Sequence, residues 1–296
     1  MPLTVLATRV LRMLTLPAAA GGPSHVSAAS GALLHAGRLC VVADDELALA
    51  RFSVGDDEAA DWLPLLPGTL PQLHAERKAA KPDLEVLLAL PDGRLLAMGS
   101  GSRPQRQRGV LLAGDVPVEV DLSPLYAPLH AEFGELNLEG GFISDSRCTL
   151  LQRASRKAPR NARVDFDAAA LMRWLDGAGA VPLPLAVTTL ALGDLHGVPL
   201  GLTDGCALPG GGFLFSAAAE DSADAVADGA VTGSVVGEVA ADGGITALRA
   251  LDRRCKVEGI AVQRVAGAVA ELLLVTDADD RAAPAWLLRA DWPVGV

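Results

Sequence analysis

One short pattern recurs five times along the 296-residue chain. Each copy is a strand opening on a small or acidic residue, a turn, a second apolar strand and a closing polar cluster. The copies are AASGALLHAGRLCVVADD at 28–45, PDLEVLLALPDGRLLAMGSGS at 82–102, NLEGGFISDSRCTLLQRAS at 137–155, LTDGCALPGGGFLFSAAAE at 202–220 and KVEGIAVQRVAGAVAELLLVTDADD at 256–280. The opening residues, Ser30, Glu85, Glu139, Asp204 and Glu258, follow one another at intervals of 54 to 65 residues. A repeat of that length, built from short antiparallel strands, matches a four-stranded propeller blade. The chain is therefore predicted to be all-β, a five-bladed β-propeller with four-stranded antiparallel blades. Six blades or a β-sandwich would also accommodate the strands, but a sandwich does not explain the even recurrence.

Local turn chemistry agrees. Pro91-Asp92-Gly93 and the run Pro209 to Gly212 each separate two apolar runs, as hairpin connections do. The expected arrangement is one propeller domain over residues 1–296. Its N-terminal strand, about residues 3–14, would complete the last blade and so remove open sheet edges. The third unit is the longest, and residues 165–178 are expected to hold a short helix.

Charge narrows the function classes. The chain carries 25 Lys and Arg against 36 Asp and Glu, a net charge of −11, the wrong sign for binding nucleic acid through its overall field. No stretch approaches the roughly 18–20 apolar residues that a membrane helix needs. Arg9 and Arg12 interrupt the apolar N-terminal stretch, which reads as a strand of a cytoplasmic protein and not as an export signal. Cys40, Cys148, Cys206 and Cys255 form no C-x-x-C pair and suit free thiols in a reducing compartment. The five histidines show no zinc-hydrolase spacing, and no nucleophile elbow, phosphate loop or dinucleotide glycine pattern is present.

The repeat makes a geometric prediction. In a blade the first strand lines the channel and the second returns beside it, so the start of one lies next to the end of the other. Two columns should therefore gather at one mouth of the channel. One is the openers; the other is Asp44, Ser100 with Ser102, Arg153, Glu220, and Asp277 with Asp279. Carboxylates converging on one axis need neutralising by a cation, by protonation or by Lys and Arg. Oxygen-only donors suit Ca²⁺ or Mg²⁺, which makes Ser30, Glu85, Glu139, Asp204 and Glu258 the candidate metal ligands. Lys81 and Lys256, just before two openers, could instead form salt bridges, leaving an ion-paired plug. Glycines follow the openers at Gly31, Gly140, Gly205 and Gly259, and would relieve crowding where strands converge.

The segments KPDLEVLLALPDGRLLAMGSGSRP, NLEGGFI with LLQRAS, and KVEGIAV with LLVTDADD resemble an uncharacterised bacterial family of single-domain β-propellers. That resemblance spans most of the chain and carries no established activity. More remotely, the openers resemble those of the calcium-activated nucleotidases (apyrases), five-bladed propellers with a central Ca²⁺ whose openers run hydroxyl, Glu, Glu, hydroxyl, Glu. Here Asp204 departs from that order, although Thr203 adjoins it, and the nucleotide-gripping aromatic and arginine motifs are not recognisable. Phytase-like and esterase-like propellers are similar in their Glu-Gly inner strands. The resemblances imply the architecture and the ion more than nucleotide hydrolysis.

The functional expectation is a cation-binding propeller acting on a small phosphate or other anionic ester. Glu220 or Asp277 would be the general base, and Arg103 and Arg153 would stabilise developing charge. The alternative is a non-catalytic scaffold or small-ligand module around a structural ion or ion-paired channel. A small anionic ligand is the expected partner.

Overall fold

In the second blade, Leu84–Ala89 is buried at every position but one and Leu95–Gly99 throughout, whereas Val116–Asp121, VPVEVD, is exposed at every position but one. A strand packed between two neighbouring sheets reads as a continuous apolar run, and polar residues return where a face meets water. The computed structural model describes residues 3–18, 22–55, 60–221 and 229–294.

From the axis outward, the first blade is Ala29–His35, Arg38–Ala43, Ala48–Ser53 and Asp61–Pro64. The second is Leu84–Ala89, Leu95–Gly99, Arg108–Ala113 and Val116–Asp121. The third is Leu138–Ser144, Arg147–Gln152, Ala162–Asp167 and Ala186–Thr189. The fourth is Val198–Ala207, Phe213–Glu220, Val231–Val239 and Ile245–Leu251, extended by Asp194–Leu195 and by Thr4–Leu6, which pairs in parallel with Ile245–Leu251. In the fifth, Lys256–Ala266, Val269–Asp277 and Trp286–Pro293 are joined by Thr8–Met13, antiparallel to Trp286–Pro293. The protein is a five-bladed β-propeller of antiparallel four-stranded blades.

The core lies between blades. Leu88 and Met98 meet Leu138 and Leu150 between the second and third blades, and Leu151 meets Leu202 and Phe215 between the third and fourth. Val236 meets Ile260 and Leu272 between the fourth and fifth, Leu273 meets Val41 and Phe52 between the fifth and first, and Val42 meets Leu87 and Val110 between the first and second. Each junction buries its own apolar cluster, so the sheets close into a ring.

At the axis the strands approach too closely for side chains. A Cβ on Gly31 would stand 2.6 Å from the Glu85 carbonyl oxygen, and one on Gly259 would stand 2.7 Å from that of Ser30. This is the crowding that the opener glycines predicted.

The helix expected within 165–178 is Ala168–Leu175, capped by Asp167, whose Oδ1 accepts the Ala170 N–H at 2.6 Å. A second helix, Ser123–Phe133, carries Pro124 in its first turn and Pro128 inside. At that first-turn position the missing N–H of Pro124 costs nothing, and the buried Tyr126 hydroxyl donates to the Gly99 carbonyl at 2.6 Å. The four cysteines are free thiols; Cys40 and Cys148 are buried, which pushes their pKa up to about 11 and about 12. Among the described residues no helix is long and apolar enough to cross a membrane.

Candidate metal centre

The openers share a backbone device. In every innermost strand the ladder slips by one residue at this point, between Ala29 and Ala32, Leu84 and Val86, Leu138 and Gly140, Leu202 and Asp204, and Val257 and Gly259. A β-bulge leaves a residue unpaired and re-aims its side chain. Glu85, Glu139 and Glu258 are such residues, and Ser30 lies in the corresponding bulge. In the fourth blade the register puts Thr203 at that position, not Asp204. Thr203 Oγ1 lies 2.8 Å from both the Val257 carbonyl and Ser216 Oγ.

Asp204 therefore falls one step beyond the expected ring. It stands level with Gly140 and Gly259, and a Cβ on Gly140 would come within 2.6 Å of Asp204 Oδ1. Its carboxylate takes the space Gly140 leaves, accepting N–H groups from Gly205 at 2.7 Å, Ile260 at 3.0 Å and Ala32 at 3.5 Å. Burial raises its pKa well above the usual range, against the pull of the Ile260, Gly205, Ala32 and Gly141 N–H groups. Asp204 is a tie between blades.

The three glutamates converge. Oxygens of Glu85, Glu139 and Glu258 all lie within 4.8 Å of one another, and all three residues are buried. Glu139 accepts from Asn137 Nδ2 at 2.5 Å and from Arg153 Nη1 at 3.1 Å. Glu258 pairs with Arg153 Nη1 at 3.2 Å and Lys256 Nζ at 3.0 Å. Glu85 differs. It is 6 % exposed, and among the described residues it has no hydrogen-bond or ion-pair partner. Burial, followed by the charges of Glu139, Asp83, Asp44 and Glu258, raises its pKa well above the carboxylate range. Burial also pushes Glu139 up to about 7, with Arg153 opposing it, and raises Glu258 against Lys256.

The second column gathers beside this group. Lys81 pairs with Asp44 and, at 3.0 Å, with Asp83; Arg106 Nη1 reaches Asp83 at 2.7 Å, and Ser100 Oγ donates to Asp83 at 2.5 Å. Arg153 Nη2 meets Glu220 at 2.6 Å. Lys256 meets Asp277 at 3.2 Å, Glu220 at 3.5 Å and Asp279 at 3.7 Å. The salt bridges expected of Lys81 and Lys256 are thus formed. Even so, among the described residues the acids Asp44, Asp83, Glu85, Glu139, Glu220, Glu258, Asp277 and Asp279 outnumber the bases Lys81, Arg106, Arg153 and Lys256 set among them, with Lys78 and Arg281 on the adjoining cleft.

The expected catalytic residues fare differently. Burial raises Glu220, but Lys256 and Arg153 outweigh it and leave the pKa lowered, which makes Glu220 a weak base. Asp277 is pushed up to about 6 by burial, with Lys256 opposing and Asp279 and Asp44 adding to it. Arg153 spends its fork on Glu139, Glu258 and Glu220. Arg103 lies exposed at the start of the short turn Pro104–Arg106, away from the network. The turn, closed by the Arg106 N–H on the Arg103 carbonyl at 2.9 Å, carries Arg106 inward in its place, 1 % exposed.

Asp83 and Asn137 were also missed. Like Lys256, each stands two residues before an opener, although Asp83 and Asn137 lie just outside their strands and Asp83 has a left-handed backbone with φ 58°. Three clefts adjoin the network. One of about 460 Å³ is lined by Asp44, Lys81, Asp277 and Arg281, one of about 490 Å³ by Lys256, Asp277 and Asp279, and one of about 340 Å³ by Arg153, Asn161 and Glu220.

Solved propellers resemble the chain in fold. Myxococcus xanthus glutaminyl cyclase aligns over 99% of this chain and 100% of its own at 12% identity, with a TM-score of 0.54. A candidate glycoside hydrolase from Parabacteroides distasonis aligns over 92% of this chain and 90% of its own at 11% identity, with a TM-score of 0.54. At such identities the likeness is one of fold alone. No curated protein matches the sequence. Residues 25–291 match a family of unknown function, DUF6929, and the chain belongs to that family.

Proposed function

We propose that the channel mouth binds one hard divalent cation, Ca²⁺ before Mg²⁺, through Glu85, Glu139 and Glu258, with Ser30 adding a hydroxyl oxygen. The observation that carries this reading is Glu85: a residue 6 % exposed whose carboxylate has, among the described residues, neither hydrogen bond nor ion pair, and whose oxygen lies beside those of two further glutamates. An isolated buried carboxylate is costly, and a cation bound by all three offsets both that cost and the excess of acids. The donors are oxygens only, which suits Ca²⁺, a cation that takes six to eight oxygens in flexible geometry.

Calorimetric titration of metal-free protein with Ca²⁺ and Mg²⁺, paired with thermal melting, tests the reading. One Ca²⁺ per chain should bind, and at a hundredfold excess over Kd add about 2.7 kcal/mol of stability. Glu85→Gln should abolish both effects. Wild-type protein that neither binds nor shifts overturns the proposal.

A catalytic use is the second reading, favoured by Asp277, with its pKa pushed up to about 6 and its place on two clefts. A bound cation supplies an activated water and a polarised ester oxygen, and Asp277 would accept the proton. The substrate class would be a small phosphate or other anionic ester. Turnover of a phosphoester and carboxylester panel that requires Asp277 supports it. Cation binding with no turnover assigns the site to a structural or ligand-binding scaffold.

A further inference from the structure

Two carboxylate triads meet at the channel mouth, and they share one residue. Glu85 contributes an oxygen to the group with Glu139 and Glu258, and also to a second group with Asp44 and Asp83; within each group the oxygens lie within 4.8 Å of one another. Such a shared carboxylate is the geometry of a two-ion centre, whose metals sit about 3.5–4 Å apart. The second group already holds a cation of the protein's own, because the Lys81 ammonium pairs with Asp44 and with Asp83.

Resting on the reading of the Glu85–Glu139–Glu258 group as a cation centre, we propose that Asp44, Asp83 and Glu85 form a latent second cation site closed by the Lys81 ammonium. Lys81 thereby sets the centre to one ion. Three observations support the assignment. Glu85 is buried and belongs to both triads, yet among the described residues it has no hydrogen bond or ion pair; the Lys81 ammonium pairs with Asp44 and Asp83 and acts on Glu85 through its charge alone. Lys81 is delivered rigidly. It caps the helix His74–Ala80 through its N–H on the Arg77 carbonyl at 2.8 Å. Arg77 is in turn buried and fixed on Glu46 at 2.6 Å and on Asp45 at 3.2 Å.

The third observation is that Arg106 and Lys256 do not play this part, whereas Arg153 pairs with two members of the first triad, Glu139 and Glu258. Arg106 and Ser100 both approach Asp83 through Oδ2, whereas Lys81 takes Oδ1. Lys256 divides itself among Glu258, Glu220, Asp277 and Asp279, of which only Glu258 belongs to a triad. A centre restricted to one ion can polarise one oxygen but cannot clamp the attacking and leaving oxygens of a displacement together.

The test counts ions in the full chain by calorimetry with Ca²⁺, and by paramagnetic resonance with Mn²⁺ as probe. Wild type and Lys81→Arg should each bind one ion. Lys81→Met should bind two, and its Mn²⁺ spectrum should show an exchange-coupled pair. Lys81→Gln keeps a donor for Asp44 and carries the same expectation if Lys81→Met does not fold. A folded Lys81→Met or Lys81→Gln protein that gains no ion, or wild type that already binds two, overturns the proposal. Wild type binding none while Lys81→Met binds one would sink the three-glutamate centre and leave the latent site standing.

Discussion

Arg153, at the end of the third blade's second strand, donates to Glu258 in the innermost strand of the fifth at 3.2 Å, while its other nitrogen holds Glu220 of the fourth at 2.6 Å. One guanidinium thus ties three blades across the channel. Removing one member of a buried, hydrogen-bonded charge cluster leaves the others uncompensated, at a cost of about 3–5 kcal/mol. Arg153→Met should lower stability in urea by that order, and saturating Ca²⁺ should recover part of the loss. An Arg153→Met protein as stable as wild type would show the tie to be ornamental.

Glu85→Gln should act in the opposite direction on the metal-free protein. The carboxylate has no partner and sits beside two others, so neutralising it removes repulsion and should raise metal-free stability by about 1–2 kcal/mol. The variant should then melt above wild type without Ca²⁺ and lose the gain when Ca²⁺ is added. Melting curves of both proteins, with chelator and with Ca²⁺, check this crossing.

Acidity should stabilise the metal-free protein. Burial holds Glu139 at about 7 and Asp277 at about 6, and raises Glu85 as well. The folded state therefore binds more protons than the unfolded one as pH rises from the ordinary carboxylate value near 4 toward 7, and stability falls across that window. Asp44 and Glu220 are lowered, so their contribution is lost only below that window. Chelated protein should melt roughly a few degrees higher at pH 5 than at pH 7.5, and Ca²⁺ should flatten or reverse the trend. Melting temperatures that rise steadily with pH in chelator would contradict the charge excess.

Asp204 separates an axial tie from a ligand. Asp204→Asn replaces one accepting oxygen with an NH₂ group facing backbone donors, and should cost about 1–3 kcal/mol. Calcium stoichiometry should stay at one per chain. If the folded variant no longer binds Ca²⁺, Asp204 belongs to the coordination sphere after all.

The architecture was legible because blades repeat: turn residues and apolar runs mark every copy, and an interval of 54 residues or more admits few other folds. Ser30, Glu85, Glu139 and Glu258 were legible for the same reason. Asp204 was misplaced by one because a bulge inserts a single residue, and only strand register distinguishes the acid after it from the hydroxyl within it. Arg103 and Arg106 exchanged roles over one turn of backbone, which no periodicity encodes. Asp83 and Asn137 lie just before their strands, Asp83 with φ 58°, so strand alternation does not reveal them.

The pairing of Thr8–Met13 with Trp286–Pro293 also governs how the molecule is made. Thr8–Met13 finds its hydrogen-bonding partner only after some 280 further residues have been translated, roughly 15–60 s later at ordinary synthesis rates. Until then Thr8–Met13 is a bare edge, and its Arg9 and Arg12 are charges of the kind that discourage a nascent β-ribbon from pairing with a stranger. Newborn chains should be most prone to aggregate just before the last strand emerges.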